Sequence, residues 1–289
     1  MGSIKIDPSK CKREGLCVTI CCENHVFSME AADSVPVVAA ENECIRCGHC
    51  ISVCPGDAIT HDGMDPRGFR PFDPDTYPSP EAAENFLYSM RSVRHYKDKP
   101  VPKELIERLL AVGAAAASDH NSQDRQFVVV TDKQLIRKLS AELAKHFRKI
   151  LTLVNAPVRR ALSIAAPAQM EYLENSFRGM KRTVVEAGQD KDPYLHEAPC
   201  LIVITGKKGN MLGKDTALTS QEAMRFLAHS MGLGTCISGY AMGAPGVVTK
   251  VLNLPRGRTV RTVFSLGWPA HKFRKTVDRA RPAVVWKGE

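Results

Sequence analysis

Four cysteines between Cys44 and Cys54, followed by Pro55, have a spacing suited to iron chemistry. The stretch reads C-I-R-C-G-H-C-I-S-V-C-P. Thiolates are the ligands of iron–sulfur clusters, and at this spacing three of them bind one cluster while the fourth reaches a second. Zinc also takes cysteine pairs two residues apart, but a tetrahedral zinc site has no use for a further cysteine with proline after it. The run therefore predicts an iron–sulfur cluster and a protein that transfers electrons.

A second cysteine-rich run begins at Cys11 and reads C-K-R-E-G-L-C-V-T-I-C-C. When it is aligned with the first run, Cys11, Cys17 and Cys21 fall on ligand positions. Glu14 stands where another cysteine is expected, and Cys22 replaces the proline. Together the two runs resemble a two-cluster, bacterial-type ferredoxin with one altered site.

The resemblance implies crossed ligation of two clusters. The intact [4Fe-4S] cluster would be held by Cys44, Cys47, Cys50 and Cys21. The other cluster would be held by Cys11, Cys17 and Cys54, which is one thiolate short. Glu14 could supply a carboxylate oxygen, a harder ligand than sulfur, or Cys22 could bind after a local shift. The remaining alternatives are loss of the corner iron, which leaves a [3Fe-4S] cluster, and formation of no second cluster.

Charge is divided unevenly along the 289 residues, whose net charge is +9. Residues 1–75 carry 7 Lys and Arg against 12 Asp and Glu, whereas the rest carry 33 against 19. A basic chain often binds nucleic acid, but docking of the acidic half or binding of an anionic cofactor explains the excess equally well. We expect no nucleic-acid partner.

Several features favour a cytoplasmic protein without a membrane partner. No apolar run approaches the roughly 20 residues that cross a bilayer, and no basic segment followed by an apolar one opens the chain. Eight of the ten cysteines lie at metal-ligand spacings, which fits a reducing compartment. The other two, Cys200 and Cys236, lie in apolar surroundings and are expected to be buried rather than nucleophilic.

Proline content divides the chain into domains. Five prolines fall within residues 63–80, and such a segment cannot sustain a helix or a central strand. We therefore predict a ferredoxin-like domain over 1–62, a linker over 63–80 and a second domain over 81–289. The first domain should contain a strand at Ile4–Ile6 and a hairpin within Val26–Val38.

After residue 80, helical patterns alternate with short apolar runs. Helices are predicted over 81–90, 102–116, 132–150, 215–231 and 245–252, and strands over 126–131, 199–205 and 259–266. Asp132 has the position of a helix cap. Residues 156–197 are the hardest to interpret, and we expect them to include a mobile segment over a binding site.

The second domain resembles the nitroreductase family of flavin mononucleotide (FMN) enzymes. Its opening, Arg91-Ser92-Val93-Arg94-His95-Tyr96, has the family pattern R-S-x-R-x-[FY]. Four further matches follow in family order: residues 118–123 (S-D-H-N-S-Q), residues 232–236 (G-L-G-T-C), residues 267–269 (G-W-P) and an arginine-bearing tail. The resemblance covers about residues 82–286. It implies an α+β protein in which a bacterial ferredoxin-like iron–sulfur module precedes an FMN-dependent, nitroreductase-like α/β sandwich.

The resemblance also assigns roles in FMN binding. Arg91 and Ser92 would bind the phosphate, and Arg94 would stabilise negative charge at the N1/O2 edge of the reduced flavin. Backbone donors at the N5/O4 edge would come from Cys236, Ile237, Ser238 and Gly239. The tail would close on the phosphate through Lys272, Arg274 or Arg279. Many family members have an arginine where this chain has Met90.

Family members are homodimers with the flavin at the interface. Ser118, Asn121 and Gln123 match residues that the partner subunit contributes. No general acid or base is assigned; His95 and His120 are the nearest candidates.

These features predict an oxidoreductase in which a low-potential donor, such as reduced ferredoxin, passes electrons through the clusters to FMN and on to a small acceptor such as a nitroaromatic or a quinone. The alternatives are an electron-transfer flavoprotein that serves a protein partner and a flavin-dependent dehalogenase or ene-type reductase.

Overall fold

The computed structural model describes residues 3–21, 25–153, 167–189 and 191–288, with side chains left undescribed for 167–176. These residues form two compact units. Unit 1 comprises Met1–Pro78 with His120–Ser122, and unit 2 comprises Ser79–Asp119 with Gln123–Glu289. Within the described ranges, no helix is both long and apolar enough to span a membrane.

Unit 1 contains two small antiparallel pairs of strands and two short helices. Strand β1 (Ile4–Ile6) pairs with β4 (Ile59–His61), and β2 (Phe27–Ser28) pairs with β3 (Val37–Val38). The helices are α1 (Leu16–Ile20) and α2 (His49–Ser52). The predicted first strand and hairpin are therefore confirmed.

The apolar core of unit 1 is small. Its buried members are Ile4, Cys17, Val26, Phe27 and Ile59. Helices of four and five residues are not stable by themselves, because nucleation of a helix costs more than so few hydrogen bonds return. A unit of this size is marginal without a further constraint such as a bound metal.

The proline-rich segment groups with unit 1 as far as Pro78. Two single-turn helices occur in it, Pro66–Gly68 and Pro74–Thr76, and each is capped by the side chain of the preceding aspartate. A Cβ atom placed on Gly48 would lie 3.1 Å from the ring of Phe69. This segment therefore packs on the run Cys44–Cys54 instead of extending away as a linker, and the predicted domain limits stay a proposal.

Unit 2 is built on a four-stranded antiparallel sheet. Its strands are β5 (Gln126–Val130), β6 (Cys200–Lys207), β7 (Gly234–Ile237) and β8 (Arg258–Gly267), and their order is β5-β6-β8-β7. The helices are α3 (Pro80–Ser89), α4 (Lys103–Ala115), α5 (Lys133–Leu153), α6 (Pro167–Ala187), α7 (Gly213–Ser230), α8 (Gly239–Gly243) and α9 (Pro245–Val251).

Helices cover both faces of this sheet. Side chains of a strand alternate between faces, and in β6 Leu201 and Val203 pack with α5 and α9, whereas Ile202 and Ile204 pack with α4 and α7. All four are fully buried. The uninterrupted apolar run of β6 is thus explained by burial on two sides.

The predicted helices and strands of the second domain are confirmed to within a few residues. Asp132 caps α5, since its Oδ1 accepts hydrogen bonds from the backbone N–H groups of Gln134 (2.8 Å) and Leu135 (3.3 Å). The segment 156–197 contains α6. Residues 154–166 and 190 lie outside the described residues, and the predicted mobile segment within 156–197 falls partly on them.

Candidate functional site

One cavity of unit 1 collects four thiols from the two cysteine runs. It has a volume of about 270 Å³, and its lining includes Cys21, Cys44, Cys47 and Cys50. Cys21 comes from the end of α1, while the other three lie before and within α2. This is the set that crossed ligation assigns to the intact cluster. Their role as ligands stays a prediction.

The thiols of this cavity are close enough to influence one another. Burial, and then the neighbouring Cys47 and Cys44, raise the pKa of Cys50 to about 12, because thiolates gathered in one place repel. The raised pKa favours the protonated thiol, whereas bound iron would favour the thiolate. Among the described residues, no three His, Cys, Asp or Glu side chains could hold a single metal ion. A cluster, unlike a single ion, binds each thiolate through a different iron.

A second cavity of unit 1 contains the altered site. It has a volume of about 30 Å³, and Cys11, Cys17, Cys54 and Glu14 are among its lining residues. Burial, and then the charges of Cys11 and Cys54, raise the pKa of Cys17. The structure thus gathers the three thiols expected of the second cluster. Cys22 lies outside the described residues.

In unit 2 the segment 91–96 lies along strand β7. Ser92 forms a parallel bridge with Thr235, and the backbone N–H of Val93 donates to the carbonyl of Thr235 at 2.9 Å. This pairing places the side chains of Ser92 and Arg94 within hydrogen-bonding reach of the Cys236 thiol. Two motifs that are far apart in the sequence therefore meet at one edge of the sheet.

A large cavity of about 1180 Å³ opens beside this edge. Of the predicted FMN-binding residues, it is lined by Arg94, Cys236, Ile237, Ser238 and Gly239. Small-molecule sites usually occupy about 300–1,000 Å³, so a cofactor together with a small acceptor would fit. Burial raises the pKa of the Cys236 thiol. Cys236 is therefore a neutral wall of the cavity, as its apolar surroundings predicted.

Arg91 carries an unsatisfied donor next to this strand edge. Its Nη1 donates to the carbonyl of Met90 at 2.5 Å, whereas its Nε is buried without a hydrogen-bond partner. A buried cationic donor without a partner costs free energy. An anionic group such as a phosphate would satisfy it, so this residue fits the cofactor that the sequence predicts.

Eight of the predicted FMN ligands do not line the large cavity. Arg91 and Ser92 belong to the segment along strand β7. The other six are Ser118, Asn121, Gln123, Lys272, Arg274 and Arg279. The three tail residues are exposed and lie outside the helices and strands. Ser118, Asn121 and Gln123 were predicted to contact the flavin of a partner subunit, and the structure is that of a single chain. All eight assignments stay predictions.

The turn around Asn121 has an unusual backbone. His120, Asn121 and Gln123 have φ values of 43°, 50° and 49°, a region that residues other than glycine rarely adopt. The Asn121 amide donates to the carbonyls of Ile45 (3.0 Å) and Arg46 (2.7 Å), which belong to the same unit. Residues held in such conformations are concentrated at functional sites.

His196 lines the cavity, although no sequence motif identified it. His196 and Glu197 both have positive φ, 62° and 52°, in a turn organised by Asp192. Burial is the main cause that lowers the pKa of His196, and the charges of Arg94 and His95 act in the same direction. The only signal was its position just before strand β6, in the segment that was hardest to interpret.

Comparison with known proteins defines the class of this protein. The model of the nitroreductase family matches residues 87–268, which is more than half of the chain, and the model of the 4Fe-4S binding domain matches residues 37–60. The chain belongs to the nitroreductase family. The predicted family, fold class and oxidoreductase activity are thereby confirmed.

Individual relatives agree with this assignment. The chain is 26% identical to the FMN reductase [NAD(P)H] of Bacillus subtilis strain 168 over 203 residues, which cover 68% of this chain and 70% of that protein. It is 35% identical over 60 residues to an Archaeoglobus fulgidus protein provisionally named NADH dehydrogenase/NAD(P)H nitroreductase; that alignment covers 21% of this chain and about a third, 34%, of the relative. A nitroreductase structure with bound FMN from Bacteroides fragilis has the same fold, with a TM-score of 0.51, 18% identity, and coverage of 70% of this chain and 97% of that one.

Proposed function

We propose that this protein is an iron–sulfur flavoprotein that takes single electrons from a low-potential donor, passes them through its clusters to FMN, and delivers them to a small organic acceptor. Nitroaromatics and quinones are the acceptor classes we propose. Reduced ferredoxin, or a donor of similar potential, is the proposed source. Bound FMN would supply the conversion between one-electron and two-electron chemistry.

One observation carries this proposal. A single chain contains a cavity lined by four thiols and, in a nitroreductase-family unit, a large cavity bordered by Arg94 and Cys236. A family member that received hydride from a nicotinamide alone would have no need of thiols grouped in this way. The cysteine cavity therefore supports an electron source that supplies one electron at a time.

The residues around the large cavity have separable roles. Arg94 places a permanent cation beside Cys236, where it would stabilise negative charge on a reduced cofactor. Arg91 offers its unpaired Nε to an anionic group. Ser238 caps helix α8 by accepting a hydrogen bond from the N–H of Ala241 at 3.2 Å, which fixes the strand-to-helix turn at the cavity wall.

Protons would have to reach the acceptor from a nearby donor or from water. The hydroxyl of Tyr96 is hydrogen-bonded to Ser265 Oγ at 2.7 Å, and burial raises its pKa well above the ordinary value, so it is a poor acid. Burial lowers the pKa of His196, which disfavours the protonated form that would act as an acid. We assign no catalytic acid among the described residues, and the proposed role of Arg94 is electrostatic.

We also propose a cytoplasmic homodimer with two FMN sites at its interface. The supporting observation is that Ser118, Asn121 and Gln123 line no part of the large cavity of their own chain. In a dimer these side chains could reach the cofactor of the partner. Sedimentation of the FMN-loaded protein would test this, and a monomer that retains FMN tightly would contradict it.

An anaerobic titration tests the central proposal. Protein purified without oxygen should show flavin and iron–sulfur absorbance, and reduced ferredoxin should bleach both and support steady reduction of a nitroaromatic. NAD(P)H alone should reduce the flavin much more slowly. Rapid reduction by NAD(P)H in a variant in which Cys44, Cys47 and Cys50 are replaced by serine would refute the electron route, and protein without flavin would refute the enzyme.

A further inference from the structure

The two cysteine runs form loops with the same backbone conformation. Arg13 and Arg46, each two residues after the first cysteine, have φ values of 60° and 54°. In each loop that residue's N–H donates to the sulfur of the first cysteine at 3.4 Å. Gly15 and Gly48, each four residues after it, have φ values of 69° and 78° and precede helices α1 and α2. The loops therefore correspond residue by residue.

This correspondence places Glu14 where the other loop has Cys47. Both are the third residue after the first cysteine, between the two left-handed positions. Both are exposed, and each lines the cavity formed by its own loop. In the second cavity the other three positions are the thiols Cys11, Cys17 and Cys54. Among the residues that the structure describes, Glu14 occupies the remaining ligand position of this set.

The two cavities differ in size, although a four-iron cluster needs the same space in either site. A glutamate oxygen lies two bonds further from the backbone than a cysteine sulfur does, so the loop that carries Glu14 must stand further from a bound cluster. The cavity at Glu14 has about 30 Å³, against about 270 Å³ at Cys47. The loop 12–14 is exposed, so it can move outward when a cluster binds.

On the basis of the proposed function, we infer that Glu14 binds the fourth iron of a second [4Fe-4S] cluster through a carboxylate oxygen and makes that iron removable. Sulfur ligands hold iron of a cluster more firmly than a hard, exposed oxygen does. Release of this iron as Fe²⁺ from [4Fe-4S]²⁺ leaves [3Fe-4S]⁰ without transfer of electrons. A one-electron oxidant such as ferricyanide then takes one electron and gives [3Fe-4S]⁺. Addition of Fe²⁺ and one electron reverses the sequence.

The test uses the full chain, reconstituted with iron and sulfide and purified without oxygen. Wild-type protein should contain about eight iron atoms per chain, as expected of two four-iron clusters. Ferricyanide should remove about one of them and produce the paramagnetic resonance signal of a three-iron cluster. Glu14→Cys should retain about eight and give no such signal. Glu14→Gln should contain about seven before oxidation, and the exposed control Glu30→Gln, which lines neither thiol cavity, should behave like wild type.

Two outcomes would overturn the assignment. Equal iron content and equal spectra in wild type and Glu14→Gln would mean that Glu14 is not a ligand. About four iron atoms in wild type would mean that no second cluster forms, while the first cluster and the proposed function remain. Fewer than four in every variant would instead refute the cluster part of the proposed function. Because Glu14 is exposed, none of these variants should impair folding, which circular dichroism would verify.

Discussion

Substitution of Gly234 by alanine tests how strand β7 positions the cofactor-binding segment. A Cβ atom at residue 234 would lie 2.6, 2.7 and 2.9 Å from three side-chain atoms of Val93. Carbon atoms in contact normally lie about 3.5–4.0 Å apart, so the two segments would have to separate by about 1 Å. Val93 is 9% exposed, is stiff because it is β-branched, and is tied to Thr235 by its N–H. It cannot simply rotate away.

The expected cost is that of overpacking a buried contact, about 1–3 kcal/mol. For a unit of this size, about 2 kcal/mol lowers the melting temperature by about 4–8 °C. The separation would also shift Ser92 and Arg94 away from Cys236, so the affinity for FMN should fall together with stability. Thermal unfolding with and without FMN, and fluorescence titration of FMN, measure both effects.

The matched control is Gly246→Ala, because a Cβ atom at this exposed position of helix α9 would have no neighbour within 4 Å. It should be neutral or stabilise the protein by up to about 1 kcal/mol, since alanine favours a helix. The double variant Gly234→Ala/Val93→Ala lacks two of the three colliding atoms, because alanine has no γ carbons. Its loss of stability should be smaller than the sum of the losses of the two single variants by more than about 0.5 kcal/mol. If Gly234→Ala were as stable as the control and bound FMN as tightly as wild type, the steric argument would be wrong.

Three further predictions concern the large cavity. Arg94→Gln should lower the reduction potential of bound FMN, since a cation near the reduced cofactor stabilises it by about 1–4 kcal/mol; Arg94→Lys should retain most of the effect, and spectroelectrochemical titration compares them. Between pH 7 and 5, acidification should destabilise wild type more than His196→Gln, as measured by urea unfolding. The folded-state pKa of His196 lies below its unfolded value, so the unfolded chain binds the proton more readily. Parallel curves of unfolding free energy against pH for the two proteins would contradict this. Asp192→Ala should lower the free energy of unfolding by about 1–3 kcal/mol, and Asp192→Asn should lower it less. The reason is that the carboxylate accepts hydrogen bonds from Ser140 Oγ and from the backbone N–H groups of residues 194, 195 and 197. Equal calorimetric stability of both variants would refute the role of the charge.

Much of the fold could be predicted because its signals are local. The apolar run of β6 and the cap at Asp132 depend on residues adjacent in the chain, and the structure has both. The spacing of the cysteine runs likewise fixes a local backbone, with glycine at the left-handed position before each short helix. The family motif at residues 91–96 could be identified for the same reason.

Other features depend on which distant residues meet. The sequence motif containing Gly234 gave no sign that a side chain at this position would collide with Val93, because the two are neighbours only across a strand pairing. His196 reaches the large cavity through a turn with two left-handed residues that no spacing pattern announces. The proline-rich segment packs on unit 1 because Phe69 covers Gly48, although its composition suggested a linker.

The sequence by itself thus determined the types of chemistry available to this protein: thiols and a carboxylate at metal-ligand spacing, and cations in a cofactor-binding motif. Tertiary structure decided which of them share a cavity, bringing Cys21 to Cys44 and Arg94 to Cys236. The reason is physical. Spacing along the chain sets local backbone geometry, whereas contacts between distant residues follow from the packing of strands and helices into a common core.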